Sequence, residues 1–208
     1  YTGWYTLSLH DALPILSEGE TALVDAGTGG ATQRILKNMK LCGAQPEKTR
    51  QLFLTHCHYD HTGGAAEIRE HTGCRIIAHE LDARYLEAGD SEVTAASWYG
   101  SFMRPLSVDV KVTEKKRTFT VGGLQVDFIH TPGHSPGSSV LTVRSDGLLV
   151  LFGQDVHGPL NDSLLSNRGD YIRSLEFLIS LEADILCEGH FGVYHGKDEV
   201  RDFIESFL

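Results

Sequence analysis

From Ile15 onward the chain alternates short apolar runs with amphipathic stretches. Thr21-Ala-Leu-Val24 reads as a buried strand ending at Asp25-Ala-Gly27, and Ala31 to Leu41 reads as an amphipathic helix stopped by Gly43. Gln51 to Thr55 is a second apolar strand, after which Gly63-Gly64 turns the chain into a helix from about Ala65 to His71. Arg75 to Ala78 predicts the next strand and Glu80 to Ala88 the next helix, so the first half repeats strand then helix. The second half changes character. Val108 to Val112, Arg117 to Val121, Leu124 to Ile129, Ser139 to Val143 and Leu148 to Phe152 predict strands in succession, and Gly122-Gly123 and Asp146-Gly147 signal hairpins among them. A helix at Tyr171 to Leu181, a strand at Asp184 to Cys187 and a helix at Asp198 to Phe207 close the order. Neither an internal repeat nor a low-complexity tract interrupts it. The order predicts an α/β fold of mixed sheets with helices outside them, layered helix, sheet, sheet, helix.

Tyr1 to Pro14 fits neither period, and Leu7 to Ile15 (LSLHDALPI) resembles translated sequencing-adapter sequence. The expectation is a non-native segment at 1–14 followed by one domain at 15–208. A chain of 208 residues can bury most of its apolar surface without disulfide staples. The four cysteines, Cys42, Cys57, Cys74 and Cys187, show no paired CxxC spacing, which predicts free and mostly buried thiols. A formal charge of −10 opposes broad contact with nucleic acid or an anionic membrane surface. No apolar run approaches the roughly 20 residues that span a bilayer. These features lead to the expectation of a soluble, cytoplasmic protein acting on a small-molecule substrate, with any signal peptide and the oligomeric state out of reach.

The chemistry concentrates at His56-Cys57-His58-Tyr59-Asp60-His61, directly after a predicted strand. In an extended segment alternate side chains share a face, so His56 and His58 point one way while Cys57 points back into the protein. As the chain bends toward its helix, Asp60 and His61 come from a tighter turn and can address a second ion beside the first. His134 in Thr131-Pro-Gly-His-Ser-Pro-Gly137, Asp155 beyond Phe152 and His190 in Glu188-Gly-His190 each follow a predicted strand, and each has a glycine nearby. His71, His79, His130 and His195 read as ordinary surface or core imidazoles.

At these residues the sequence resembles the metallo-β-lactamase-fold hydrolase superfamily over roughly Thr21 to Leu208. The resemblance implies a four-layer αββα sandwich with two mixed β-sheets. It also implies one ion held by His56, His58 and His134, a second held by Asp60, His61 and His190, and Asp155 bridging them. Asp25 would orient the ligating imidazoles by hydrogen bonding. Mixed nitrogen and oxygen ligands suit two Zn²⁺, with Fe or Mn as alternatives. Two such ions sharing a water lower its pKa toward 7, so a bridging hydroxide is the expected nucleophile, with Asp60 as catalytic residue orienting it or carrying its proton.

Departures from better-known subfamilies narrow the substrate. The full Asp/His set is closer to glyoxalase II-type thioesterases and lactonases than to most zinc β-lactamases, which commonly have Cys, Ser or another residue at the position of Asp155. Only 18 residues follow His190, where long glyoxalases carry a helical glutathione-holding domain. Gly158 stands where lactonases carry a tyrosine three residues after the bridging aspartate. Expected activity is therefore hydrolysis of a small ester, thioester or lactone. The alternatives are β-lactam hydrolysis and a mononuclear-iron sulfur dioxygenase. His157 is a candidate proton carrier or substrate contact. The segment Gly89 to Ser107, with Trp98, Tyr99, Phe102 and Met103, either walls a pocket or packs a helix onto the core.

Overall fold

The structure, a computed structural model, describes residues 12–153 and 155–208. Two mixed sheets form its centre. The first has the order β1 (Leu13–Ser17), β2 (Glu20–Val24), β3 (Thr49–Phe53), β4 (Arg75–His79), β5 (Val110–Val112), antiparallel between β1 and β2 and parallel thereafter. The second runs β11 (Gly192–His195), β10 (Ile185–Glu188), β9 (Leu148–Phe152), β8 (Ser139–Ser145), β7 (Leu124–His130), β6 (Lys116–Val121), with β9 and β10 as its parallel pair.

Side-chain alternation sorts these strands into layers. On β2, Ala22 and Val24 face the opposite sheet and join Phe53, Phe128, Leu141 and Phe152 in the core between the sheets, whereas Leu23 faces outward. Leu23, Leu52 and Ile76 are covered by α1 (Thr32–Leu41), α3 (Ala65–Thr72) and α4 (Glu80–Ala88) through Ile35, Met39, Ile68 and Leu86. The outer face of the second sheet is covered in the same way by α5 (Arg168–Ser180) and α6 (Lys197–Glu205) through Leu175, Leu178 and Ile204. The expected αββα sandwich is the observed one. A four-residue helical turn, α2 (Tyr59–Thr62), lies between β3 and α3.

Three differences from expectation have physical causes. Leu13 and Pro14, which the sequence reading left outside the domain, pair with Val24 and Leu23. Proline is tolerated there because β1 is an edge strand and needs no ladder N–H on its outer side. The rest of the segment expected to be non-native, residues 1–11, lies outside the described residues. β5, first of the five successive strands, joins the first sheet beside β4, and only the other four build the antiparallel run of the second. β11 went unforeseen because it is short and half-exposed along most of its length, which leaves no alternation to read. All four cysteines are free; Cys57, Cys74 and Cys187 are buried.

The intersheet core supports the chemistry directly. Phe53, with no exposed surface, packs edge-on against Phe119 at 5.3 Å and meets Phe128 at 6.4 Å, at the end of the strand that leads into the histidine cluster. Truncation to alanine leaves a cavity between two sheets that cannot both close on it. Phe53→Ala is expected to lower stability by about 3–5 kcal/mol, read as a lower denaturant midpoint at unchanged slope; a shift under about 1 kcal/mol would show that the sheets re-pack freely.

Candidate metal centre

The residues of the predicted set stand in the loops and the helical turn that follow the strands. His56 and His58 leave β3; Asp60 and His61 follow in α2; His134 lies between β7 and β8; Asp155 follows β9; His190 separates β10 from β11. The structure brings all seven together. Their ligand atoms form a group of His56, His58, His134 and Asp155 and a second of Asp60, His61 and His190, each within 4.8 Å. All are buried except His190, which is half-buried.

Local geometry explains the convergence. The Thr55 carbonyl, two residues beyond β3, accepts the Ser139 N–H at 2.8 Å and so staples the two sheets beside His56. Gly133, next to His134, has φ +141, and a Cβ there would stand 2.3 Å from the Tyr171 backbone, so only glycine lets this loop lie against α5. Asp82, fully buried in α4, accepts from the backbone N–H of Cys57 and Gly137 and from the Ser135 hydroxyl at 2.9, 2.6 and 2.6 Å. One carboxylate thereby fixes both histidine-bearing loops; burial raises its pKa, and the hydrogen bonds oppose that rise.

Asp25 plays the corresponding part from β2. Its Oδ1 accepts the Thr55 N–H, and its Oδ2 is 2.8 Å from both the Thr55 hydroxyl and His61 Nδ1. Asp25 and Asp155 both adopt left-handed backbone, with φ of 62° and 54°. Aspartate tolerates this region better than bulkier residues, and strain of this kind concentrates where side chains must be aimed.

The electrostatics divide the cluster. Burial, reinforced by neighbouring imidazoles, holds His56 and His58 well below the usual histidine pKa, so both are neutral and present lone pairs. His61 differs: burial lowers its pKa, but the carboxylates of Asp155, Asp60 and Asp25 outweigh burial and hold it well above the usual value. Burial likewise opposes ionisation of Asp155, yet His61, His134 and His190 keep its carboxyl well below the ordinary range. Asp155 Oδ2 stands 3.0 Å from His134 Nε2, and its Oδ1 stands 3.1 and 2.9 Å from Nε2 of His61 and His190.

Nε2 of His56, His58 and His134 and Oδ1 of Asp155 are nonetheless buried without a properly aligned hydrogen-bond partner. An unpaired buried polar atom costs about 1–3 kcal/mol, and four in one place are atoms converging on a shared centre rather than on each other. Imidazole nitrogens and carboxylate oxygens without thiolate are donors for a divalent cation of borderline softness. The residues present therefore fit a metal centre.

One feature escaped sequence reasoning, and one left open by it is resolved. Glu188, only 1% exposed, ties His157 Nδ1 at 2.7 Å through Oε1 and the N–H groups of His190 and Phe191 at 2.8 Å through Oε2. An acid closing the apolar strand Ile185-Leu-Cys-Glu188 was the available signal. In the segment Gly89 to Ser107, Met103 is core, but Trp98, Tyr99 and Phe102 are 52%, 50% and 62% exposed. Burial raises the Tyr99 pKa, as does the charge of neighbouring Asp60. The packing reading thus holds for Met103 and not for these three aromatics.

Comparison with known proteins agrees with this geometry. The sequence model described as the metallo-beta-lactamase superfamily matches residues 10–190. A probable metallo-hydrolase of Methanocaldococcus jannaschii is 32% identical over 117 residues, 56% of this chain and 54% of that protein. An acyl-coenzyme A thioesterase of Bos taurus is 31% identical over 161 residues, 67% of this chain and 55% of that protein. The chain thus spans about half the length of the curated relatives it matches. Among solved structures, a motif mutant of a metallo-beta-lactamase from Cronobacter sakazakii superimposes with a TM-score of 0.79 at 21% identity, over 94% of this chain and 86% of that one, which speaks to the fold. With the superfamily's sequence model matching a stretch, residues 10–190, that contains all seven converging residues, the chain belongs to the metallo-β-lactamase superfamily.

Proposed function

We propose that the chain is a two-cation hydrolase that cleaves a small carboxylic ester, thioester or lactone. The reading rests on Asp155, whose two oxygens lie within 3.1 Å of nitrogens from both ligand groups. On this reading His56, His58 and His134 would hold one cation and Asp60, His61 and His190 the other, with Asp155 a donor available to both. Zn²⁺ suits the donors, with Fe or Mn as alternatives. Bound together, two such cations supply Lewis acidity toward a carbonyl oxygen and a water acidic enough to attack at neutral pH.

The chain's own residues then have distinct tasks. Neutral His56 and His58 offer lone pairs, and Asp25 keeps the His61 ring turned inward through Nδ1. The Asp60 carboxylate, 3.5 Å from His190 Nε2 and 3.6 Å from His61 Nε2, is placed to orient the attacking water and accept its proton. Tyr99 brings its segment to Asp60, and the exposed rings of Trp98 and Phe102 next to it offer apolar surface to the unreactive part of a substrate. A thioester is favoured within the proposed class, because a relative aligning with 67% of this chain is an acyl-coenzyme A thioesterase. The net charge of −10 disfavours nucleic-acid substrates, and among the described residues no helix is long and apolar enough to cross a membrane.

His58→Ala is expected to lower kcat/KM by at least about 10³-fold while the circular dichroism spectrum stays near native; full activity in this variant would sink the mechanism. Chelation should remove turnover, and added divalent cation should restore it. Asp25→Asn keeps the shape but weakens the acceptor of His61 Nδ1, and a loss of about 10–100-fold in cation affinity or activity is expected. Turnover should appear on acyl-coenzyme A, lactone or simple ester substrates in a panel that also holds a cephalosporin and a phosphodiester. Activity on the cephalosporin alone, or oxygen consumption by a one-iron protein, would contradict the reading.

A further inference from the structure

Three of the five imidazoles at this centre share a construction. Nδ1 is anchored to an oxygen: His61 to Asp25 at 2.8 Å, His134 to the Pro159 carbonyl at 2.8 Å, His56 to the Thr55 hydroxyl at 3.0 Å. A ligating histidine characteristically gives its other ring N–H to such a partner, which fixes the tautomer and aims the coordinating nitrogen. His79 and His130 depart from this. His79 Nδ1 accepts the Leu81 N–H, His130 uses Nε2 toward the Pro136 carbonyl, and the two rings stack on each other at 3.8 Å.

His157 follows the ligand construction. Its Nδ1 is 2.7 Å from Oε1 of Glu188, whose side chain has no exposed surface and whose Oε2 is committed to the backbone of His190 and Phe191. The ring is wedged between His190 and Phe191, with centroids 4.8 and 4.9 Å away. A ring nitrogen of His157 lies within 4.8 Å of ligand atoms of Asp155 and His190, so these three form a further possible seat for a cation. That seat shares His190 with the group of Asp60 and His61, and Glu188 positions both of its histidines.

We propose that His157 is an additional ligand of this centre, forming with Asp155 and His190 a second seat for the cation assigned to Asp60, His61 and His190, with Glu188 as the carboxylate that aims its ring. This rests on the two-cation reading above. Its consequence is that His190 belongs to two donor groups, so the second cation survives the weakening of Asp60 or His61 better than it would with a single three-residue seat.

The test is cation binding, independent of turnover. Wild type, His157→Phe and Glu188→Gln are loaded with Co²⁺, and stoichiometry, affinity against a competing chelator and the visible absorption of bound Co²⁺ are measured. Phenylalanine keeps a ring packed on Phe191 but offers no donor. Two Co²⁺ per wild-type chain are expected. In His157→Phe the second should bind at least about 10-fold more weakly, with altered visible bands, while the first is retained; Glu188→Gln should fall in between. Two cations bound with wild-type affinity and an unchanged spectrum in His157→Phe would overturn this proposal alone. Parallel loss of both cations would also overturn it, because a ligand of the second seat leaves the first intact. A wild-type chain that takes up one cation would overturn the two-cation reading together with this one.

Discussion

Buried imidazoles and carboxylates without aligned partners are expensive, and the architecture around them exists to hold that arrangement in place. Nε2 of His56, His58 and His134 and Oδ1 of Asp155 point at one another's neighbourhood in a space closed to water on the protein side. Left to relax, such groups would turn toward solvent or pair off. They do not, because each is carried on a short loop whose backbone is pinned by a carboxylate or a strand end. The two-sheet core supplies the rigid base from which those loops project.

Three buried acids outside the seven-residue set do most of this pinning, and each couples segments remote in sequence. Asp25 joins Thr55 to His61; Asp82 joins Cys57 to the loop at Ser135 and Gly137; Glu188 joins His157 to the backbone at His190. A charged acceptor receiving two or three N–H or O–H groups is stronger than a neutral one, which lets a single side chain hold a loop against the tendency of its histidine to swing away. Asp25 sits in left-handed backbone besides, as does Asp155, so aiming these carboxylates has been given precedence over local backbone preference.

How well the sequence foretold each part depended on the range of the interaction involved. The helices from Ala31, Ala65 and Glu80 and the hairpins at Gly122-Gly123 and Asp146-Gly147 were legible, because amphipathic period and turn chemistry are properties of adjacent residues. β5 was legible as a strand but not as a member of the first sheet, since sheet membership is set by which edge offers a partner. β11 and the pairing of Leu13 and Pro14 left too little alternation to read.

By itself, the sequence marked His56 to His61 as the place of the chemistry, because four side chains of ligand type stand within six residues directly after an apolar strand; the alternation expected to align His56 with His58 is absent, since β3 ends at Phe53 and the chain bends through 55–57 before the helical turn that carries Asp60 and His61. It also contained His134, Asp155 and His190 at strand ends, though their association rested on family resemblance. Tertiary structure decided the rest. The parallel pairing of β9 with β10 sets Asp155 beside His190, and a contact across 31 positions gives His157 to Glu188. No local period reports on either, because what joins them is the packing of two sheets and the need of a buried carboxylate for donors, and these exist only in the folded chain.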